Sequence, residues 1–328
     1  MKFSDVLDIR NGRNQRQVEN ENGKYPIYGS GGVMGHATDF ICDAGTVVIG
    51  RKGSINNPIF VDEPFWNVDT AFGLVAHREV LLPKYLFYFC VNFDFERLNT
   101  TVTIPSLTKA NLLQIEINVP DMDEQRRVVS VLDKTCQLID LQQQELHNLD
   151  QLVKSRFIEL FGDPETNPKG WTRQRLDQIC ENLDSRRVPI TSTDRKAGNY
   201  PYYGASGIVD YVEGYIFDED ILLISEDGAN LVMRSTPIAF SVSGKVWVNN
   251  HAHVVRFETK ATQKYIEICF ALTDISGSIT GTAQPKLNQA KLNAMMFCVP
   301  PIELQEQFAA FVEQTDKSKL CGKMEVAA

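Results

Sequence analysis

The stretch Pro26-Ile27-Tyr28-Gly29-Ser30-Gly31-Gly32-Val33 returns later in the same chain as Pro201-Tyr202-Tyr203-Gly204-Ala205-Ser206-Gly207-Ile208. The offset of 175 holds without a gap from residues 26–55 to residues 201–230, with eight identities in thirty positions; composition alone gives about two. A second block, residues 105–133, returns at an offset of 180 as residues 285–313 with seven identities, and Trp66 matches Trp247 between the blocks. A period this long is a duplicated domain rather than a stacked array of short repeats. Two similar but non-identical modules imply one task performed twice, on two different targets.

The 328 residues are enough for two domains, each with its own core, and 43% apolar with 23% charged residues is ordinary globular composition. No run of eighteen apolar residues exists, and the Met1-Lys2-Phe3-Ser4-Asp5 start does not read as a signal peptide. The reading is a cytoplasmic protein with no membrane partner. Seven cysteines in no close pairs indicate reduced thiols, with neither a disulfide framework nor a zinc site. The net charge is −9, and residues 1–165 carry sixteen basic against twenty-three acidic side chains. A stand-alone nucleic-acid binder is usually basic, so DNA binding would have to rest on local basic patches or on a partner.

Residues 1–120 alternate short β-rich runs with Gly, Asn and Pro. Gly45-Thr46-Val47-Val48-Ile49-Gly50 and residues 71–76 have the pattern of buried strands, and residues 85–98 have helical spacing. The second module repeats this order at residues 220–225, 252–257 and 265–271. Between the modules the chain changes character. Residues 122–161 contain no Gly or Pro, and Val129, Leu132, Cys136, Ile139, Leu146, Val153, Phe157 and Leu160 keep one heptad register. A helix of that length is about 60 Å long. Asp121 or Asp123 would cap its start and Gly162-Asp163-Pro164 would stop it. One apolar seam needs a partner.

The repeat predicts that partner, a second helix starting near Ile302 with Leu304, Phe308, Phe311 and Thr315 on its seam. Because Lys319-Leu320-Cys321-Gly322-Lys323 does not resemble the corresponding part of residues 138–161, this helix is predicted to be truncated after about four turns, leaving a tail. Leu146, Leu149, Val153 and Phe157 would then be exposed and could pair with the same helix of another chain, giving a homodimer. The predicted fold is α+β: two similar mixed α/β domains at 1–120 and 166–300, a long coiled-coil-forming helix at 121–165, and a truncated second helix with tail at 301–328.

Several weak motifs combine into a resemblance. They are Tyr28-Gly29-Ser30-Gly31-Gly32 with Tyr203-Gly204-Ala205-Ser206-Gly207, the run Gly281-Thr282-Ala283-Gln284-Pro285-Lys286-Leu287, the steps Val119-Pro120 and Val299-Pro300, and Leu160-Phe161-Gly162-Asp163-Pro164. Over residues 1 to about 316 the chain resembles the specificity subunit of type I restriction–modification systems. The resemblance implies two target-recognition domains, each reading one half of a split, asymmetric site on double-stranded DNA. It also implies antiparallel helices that act as a ruler and dock modification (methyltransferase) subunits, with restriction (motor-nuclease) subunits completing the complex. Such a subunit does no chemistry and needs no cofactor.

Cations set among Gly, Asn, Ser and Thr in loops are the candidate DNA contacts, since such loops reach phosphates or guanine edges. In the first module these are Arg13, Arg16, Arg51, Lys52 and Lys109; in the second they are Arg186, Arg187, Lys286 and Lys291. Solvated surface charge is the plain alternative for each. At the counterpart of Arg51-Lys52-Gly53 stands Glu226-Asp227-Gly228, so this loop cannot serve both modules in one way. Tyr28, Tyr203, Trp66 and Trp247 read as core.

Catalytic readings fail on spacing. There is no phosphate-binding loop and no Gly-x-Ser-x-Gly elbow. Asn57-Pro58-Ile59-Phe60 lacks the second Pro of an adenine-methyltransferase motif, and no suitably placed Pro-Asp precedes Glu258-Thr259-Lys260. His251-Ala252-His253 could put two imidazoles on one strand face, but no third ligand is evident and the counterpart Thr70-Ala71-Phe72 has none. What remains is a non-catalytic DNA-specificity subunit or, for an acidic chain, a duplicated protein-interaction adaptor.

Overall fold

The computed structural model describes residues 1–99, 106–281 and 283–327, with side chains as far as residue 320. The chain forms two compact units, Met1–Leu141 and Gln142–Ala328. Pro105 and Thr282, part of the motifs above, lie outside the described residues.

In the first unit a short helix α1 (Phe3–Val6) leads into β1 (Leu7–Asn11), and β2 (Tyr25–Gly29) and β3 (Gly32–Ala37) form a hairpin. β4 (Thr46–Gly50), β5 (Ile59–Val61), β6 (Trp66–Asn67), β7 (Ala71–Ala76) and α2 (Pro83–Asn92) follow, then α3 (Lys109–Leu113) and α4 (Met122–Phe161). The main sheet is antiparallel in the order β1-β7-β4-β5. Its central strands are the uninterrupted apolar runs, as expected of strands covered on both faces. Phe3, Val47, Ile49, Phe72, Leu74, Leu86 and Leu112 close the core. The smaller sheet, β3-β2-β6, contains a parallel pair in which Ile27 stands opposite Trp66.

The second unit repeats this plan. β8 (Arg173–Arg175), α5 (Leu176–Ile179), β9 (Cys180–Asn182), β10 (Ala197–Gly204), β11 (Gly207–Val212), β12 (Phe217–Asp218) and β13 (Ile221–Ser225) come first. Then come α6 (Asn230–Met233), β14 (Ala239–Val242), β15 (Lys245–Val248), β16 (Ala252–Phe257), α7 (Lys260–Leu272), α8 (Gln289–Asn293), β17 (Met296–Cys298) and α9 (Ile302–Ala327). The sheet β9-β16-β13-β14 matches β1-β7-β4-β5, and in β11-β10-β15-β12 Tyr202 stands opposite Trp247 as Ile27 does opposite Trp66. The repeated glycine has a physical cause. Gly32 and Gly207, each closing the hairpin turn, have φ of 116° and 127°, a backbone region open in practice to glycine. Of the four aromatic residues expected in the core, Trp66 is buried, whereas Tyr28, Tyr203 and Trp247 are half-buried.

Helix α4 starts and stops as its sequence dictates. Asp121 Oδ1 accepts the N–H groups of Asp123 and Glu124 at 3.1 and 2.9 Å. Gly162, with φ of 77°, terminates it, and Lys169 Nζ and the Trp171 indole N–H bond the carbonyls of Leu160 and Phe161. Gln125 and Gln305 are buried brackets at the two helix starts. Gln125 bonds Val80, Leu82 and Pro120. The Gln305 side chain donates to the Pro300 carbonyl and its Oε1 is buried with no hydrogen-bond partner.

The second long helix is shorter than the first, 26 residues against 40, as the sequence predicts, but it does not stop after four turns: α9 continues to Ala327. Phe308 packs edge-on against Phe157 and Phe161, both at 5.5 Å, and Lys319 reaches Asp150 at 2.8 Å. These pairings run antiparallel. Val153 and Phe157, expected to be exposed for a homodimer, are 5% and 0% exposed inside the core of the second unit. The apolar side chains left in solvent on α4 are others: Val131, Leu138, Ile139, Leu141, Leu152 and Ile158. Among the described residues no helix is long and apolar enough to cross a membrane.

Candidate nucleic-acid interface

The same backbone bracket occurs in both units just after the central strand. Arg51 donates its N–H to Thr70 at 2.8 Å and accepts from Leu107 at 2.9 Å. Glu226 donates to His251 at 2.9 Å and accepts from Leu287 at 2.8 Å. Next along, Lys52 bridges Ser106 and Asp227 bridges Lys286. Each bracket ties the loop after the central strand to the stretch before α3 or α8, so side chains from both segments emerge together. The same main-chain bonds frame the loop in both units, which leaves its side chains free to differ.

They differ in sign. In the first unit Arg51 lies exposed over the Phe72 ring at 5.7 Å, and Lys52 is exposed with no side-chain hydrogen bond or ion pair among the described residues. Arg13 and Arg16 are exposed and equally unpaired, although the Arg13 main chain is fixed by Asn67 and by the Trp66 indole. Lys109 is committed, donating to the Ile9 carbonyl at 2.9 Å.

In the second unit three of the four candidate cations are paired with carboxylates, and one of them is turned inward. Arg187, only 14% exposed, donates to Glu226 and to the Ala252 carbonyl, both at 2.7 Å. Glu226 also meets Lys286 at 3.1 Å. Arg186 pairs with Glu219 at 2.7 Å and stacks on Phe217. Of the four cations predicted here, Lys286 keeps half its side chain in solvent and Lys291 has no side-chain partner among the described residues. Beneath them His253 sits between Asp184 and the Leu287 carbonyl. Burial alone would raise the Asp184 carboxyl, but the hydrogen bond from His253, its charge, the Val254 N–H and Arg187 hold it below the usual carboxylate range. Burial likewise works against Glu226, and Arg187, His253 and Lys286 together keep it low.

Sequence reasoning took Arg187 and Lys286 as candidate DNA contacts and weighed His253 as a metal ligand, and missed the carboxylates that gather them. A signal was present. At aligned positions Asn11, Arg51 and Phe72 become Asp184, Glu226 and His253 together. Among the described residues no cluster of His, Cys, Asp or Glu is arranged to hold a metal. The thiols of Cys42 and Cys180 are pushed up to about 12 by burial, which keeps them protonated and unreactive.

A duplicated α+β module with cationic loops on a rigid frame, followed each time by a long helix, defines a class of two-domain recognition proteins. The type I restriction modification DNA specificity domain matches residues 1–151 and 168–322, and the chain belongs to that family. The type I restriction enzyme EcoprrI specificity subunit of Escherichia coli is 23% identical over 96% of this chain and 87% of its own length. A putative specificity subunit of Haemophilus influenzae is 33% identical over 42% of this chain, a match that spans 35% of that relative. Among solved structures, the type I S subunit of M. genitalium has a TM-score of 0.66 at 16% identity, covering all of this chain and 91% of that one. A chain from work on complex assembly and conformational transition of the type I R-M system has a TM-score of 0.54 at 15% identity, covering all of this chain and 92% of that one. These likenesses show the fold. The relatives are named specificity subunits, and this chain is accordingly a specificity subunit rather than an enzyme.

Proposed function

We propose that the chain reads a split, asymmetric target on double-stranded DNA, one module to each half, and docks modification subunits, and with them restriction subunits, through α4 and α9. The observation that carries this reading is the bracket common to both units, which holds one loop frame while its side chains diverge. A duplicated reader of two different half-sites needs that combination. In the first module Arg13, Arg16, Arg51 and Lys52 have the exposure and freedom from ion pairs that phosphate or guanine contacts require. In the second, Lys286 and Lys291 are the cations still available to DNA, and Arg186 and Arg187 act by shaping the loops. Each good base contact contributes about 1–3 kcal/mol of discrimination, too little for one module alone, so joining two modules raises specificity through effective concentration. The acidic balance of the chain supports binding as part of a complex.

The test is DNA binding by the chain purified with its modification subunit, titrated with salt. Affinity should fall steeply with salt, and Arg51→Ala with Lys52→Ala should lower the slope by about one for each phosphate contact removed. Partner binding that ignores both salt and added DNA would favour a protein-interaction adaptor instead.

A further inference from the structure

His253 on β16 is a buried imidazole, 1% exposed, with two fixed partners. Its Nε2 lies 2.7 Å from the Leu287 carbonyl and its Nδ1 lies 2.6 Å from Asp184 Oδ2. A carbonyl only accepts, so Nε2 must carry a proton. Asp184 is also an acceptor here, because its Oδ1 takes the Val254 N–H at 2.8 Å and Arg187 stands 3.5 Å away. Nδ1 therefore donates as well, and the ring holds both protons. Every charged group facing it belongs to this arrangement. Asp184 and Arg187 come from the turn after β9, and Glu226, 3.7 Å from Nδ1, comes from the end of β13. Lys286 enters from the stretch before α8 by way of Glu226. On its own strand, His251 is turned away to Asp227 at 2.9 Å.

We infer that His253 is a positioning residue: its two protons tie the Lys286-Leu287 segment to the module core, so that reading of the second half-site depends on a proton and reading of the first does not. The inference rests on the DNA-recognition reading above. When one proton leaves, two acceptors face a single N–H in a dry site. The charged Asp184 keeps the bond, since a hydrogen bond to a carboxylate is the stronger one, and the Leu287 carbonyl loses it. The segment then loses its one tie to the imidazole and keeps the Leu287 N–H on Glu226, the Gly228 N–H on Pro285, the Thr280 pairing of Lys286 and the Lys286–Glu226 ion pair. The first module has no such device, because Phe72 occupies the place of His253 and Asn11 that of Asp184.

The direct test is nitrogen-resolved NMR of the full chain labelled on its histidine rings. At neutral pH His253 should show two ring N–H groups; a single N–H overturns the inference. The functional test uses the chain with its modification subunit, once the methylated motif is known. Discrimination is the ratio of affinities for the cognate duplex and for one substituted in a single half. For the second half this ratio should fall about threefold or more from acid to alkaline pH, while the ratio for the first half stays level. His253→Phe, which copies the first module, should flatten the dependence, and an unchanged profile in that variant overturns the proposal. If His253→Phe fails to fold, the NMR measurement decides. Two ring protons in a chain that binds no DNA at any pH would overturn the recognition reading and not the protonation of His253.

Discussion

Arg51 and Glu226 occupy the same place in two copies of one loop, with the same two main-chain partners, and their side chains do opposite things. Arg51 lies outside on an aromatic ring, while Glu226 gathers Arg187, Lys286 and His253 around it. The comparison shows how a duplicated reader diverges without losing its shape. Where backbone hydrogen bonds fix a loop, the charge on its side chains can reverse and the frame survives. One module is left with unpaired cations and the other with a nearly closed network.

The largest effect should come from a contrast along α4. Phe308→Ala removes the ring between Phe157 and Phe161 and should cost about 3–5 kcal/mol. Leu138→Ala, on a side chain 65% exposed, should cost under about 0.5 kcal/mol. Breaking the network of the second module comes next. Glu226→Ala takes the 2.7 Å carboxylate from the buried guanidinium of Arg187, leaving it Asp184 at 3.5 Å, and should destabilise the second unit by about 2–4 kcal/mol in denaturant unfolding. Arg51→Ala at the matching site should stay within about 0.5 kcal/mol in the first unit. Equal losses in both would mean that the two loops are not differently built.

Acid should separate the units more gently. Asp184 and Glu226 are both held below their ordinary carboxyl values of 3.8 and 4.5. A lowered folded value means stability that is fully present above the ordinary range and lost as pH falls through the lowered one. Hydrogen exchange followed unit by unit should show the second unit loosening first below about pH 4, and Asp184→Asn should remove that difference. The smallest effect is that of Lys52→Ala alone, which should leave folding unchanged and lower the salt slope of DNA binding by about one.

Much of the architecture was legible in the sequence because it rests on local signals. The apolar runs of β4, β7, β13 and β16, the hairpin glycines, and the Asp121 and Gly162 ends of α4 each state their conformation within a few residues. The continuation of α9 was not legible from comparison with α4, since its residues do not repeat those of the earlier stretch and its tie to α4, Lys319 to Asp150, forms only in the fold. Nor was the pairing of Arg187 and Arg186 with carboxylates. Whether a loop arginine faces solvent or a carboxylate depends on Glu226 and Glu219, 39 and 33 residues away in sequence, and only the folded sheet brings them together.

Methylome sequencing most directly tests the claim that each module reads its own half of one target. Cells would carry the modification subunit with this chain, with no such chain, or with a version whose residues 1–120 come from a relative. The account predicts a split, asymmetric methylated motif that vanishes without the chain and changes in one half only when the first module is exchanged. A motif indifferent to the chain, or one altered in both halves by that exchange, would contradict it.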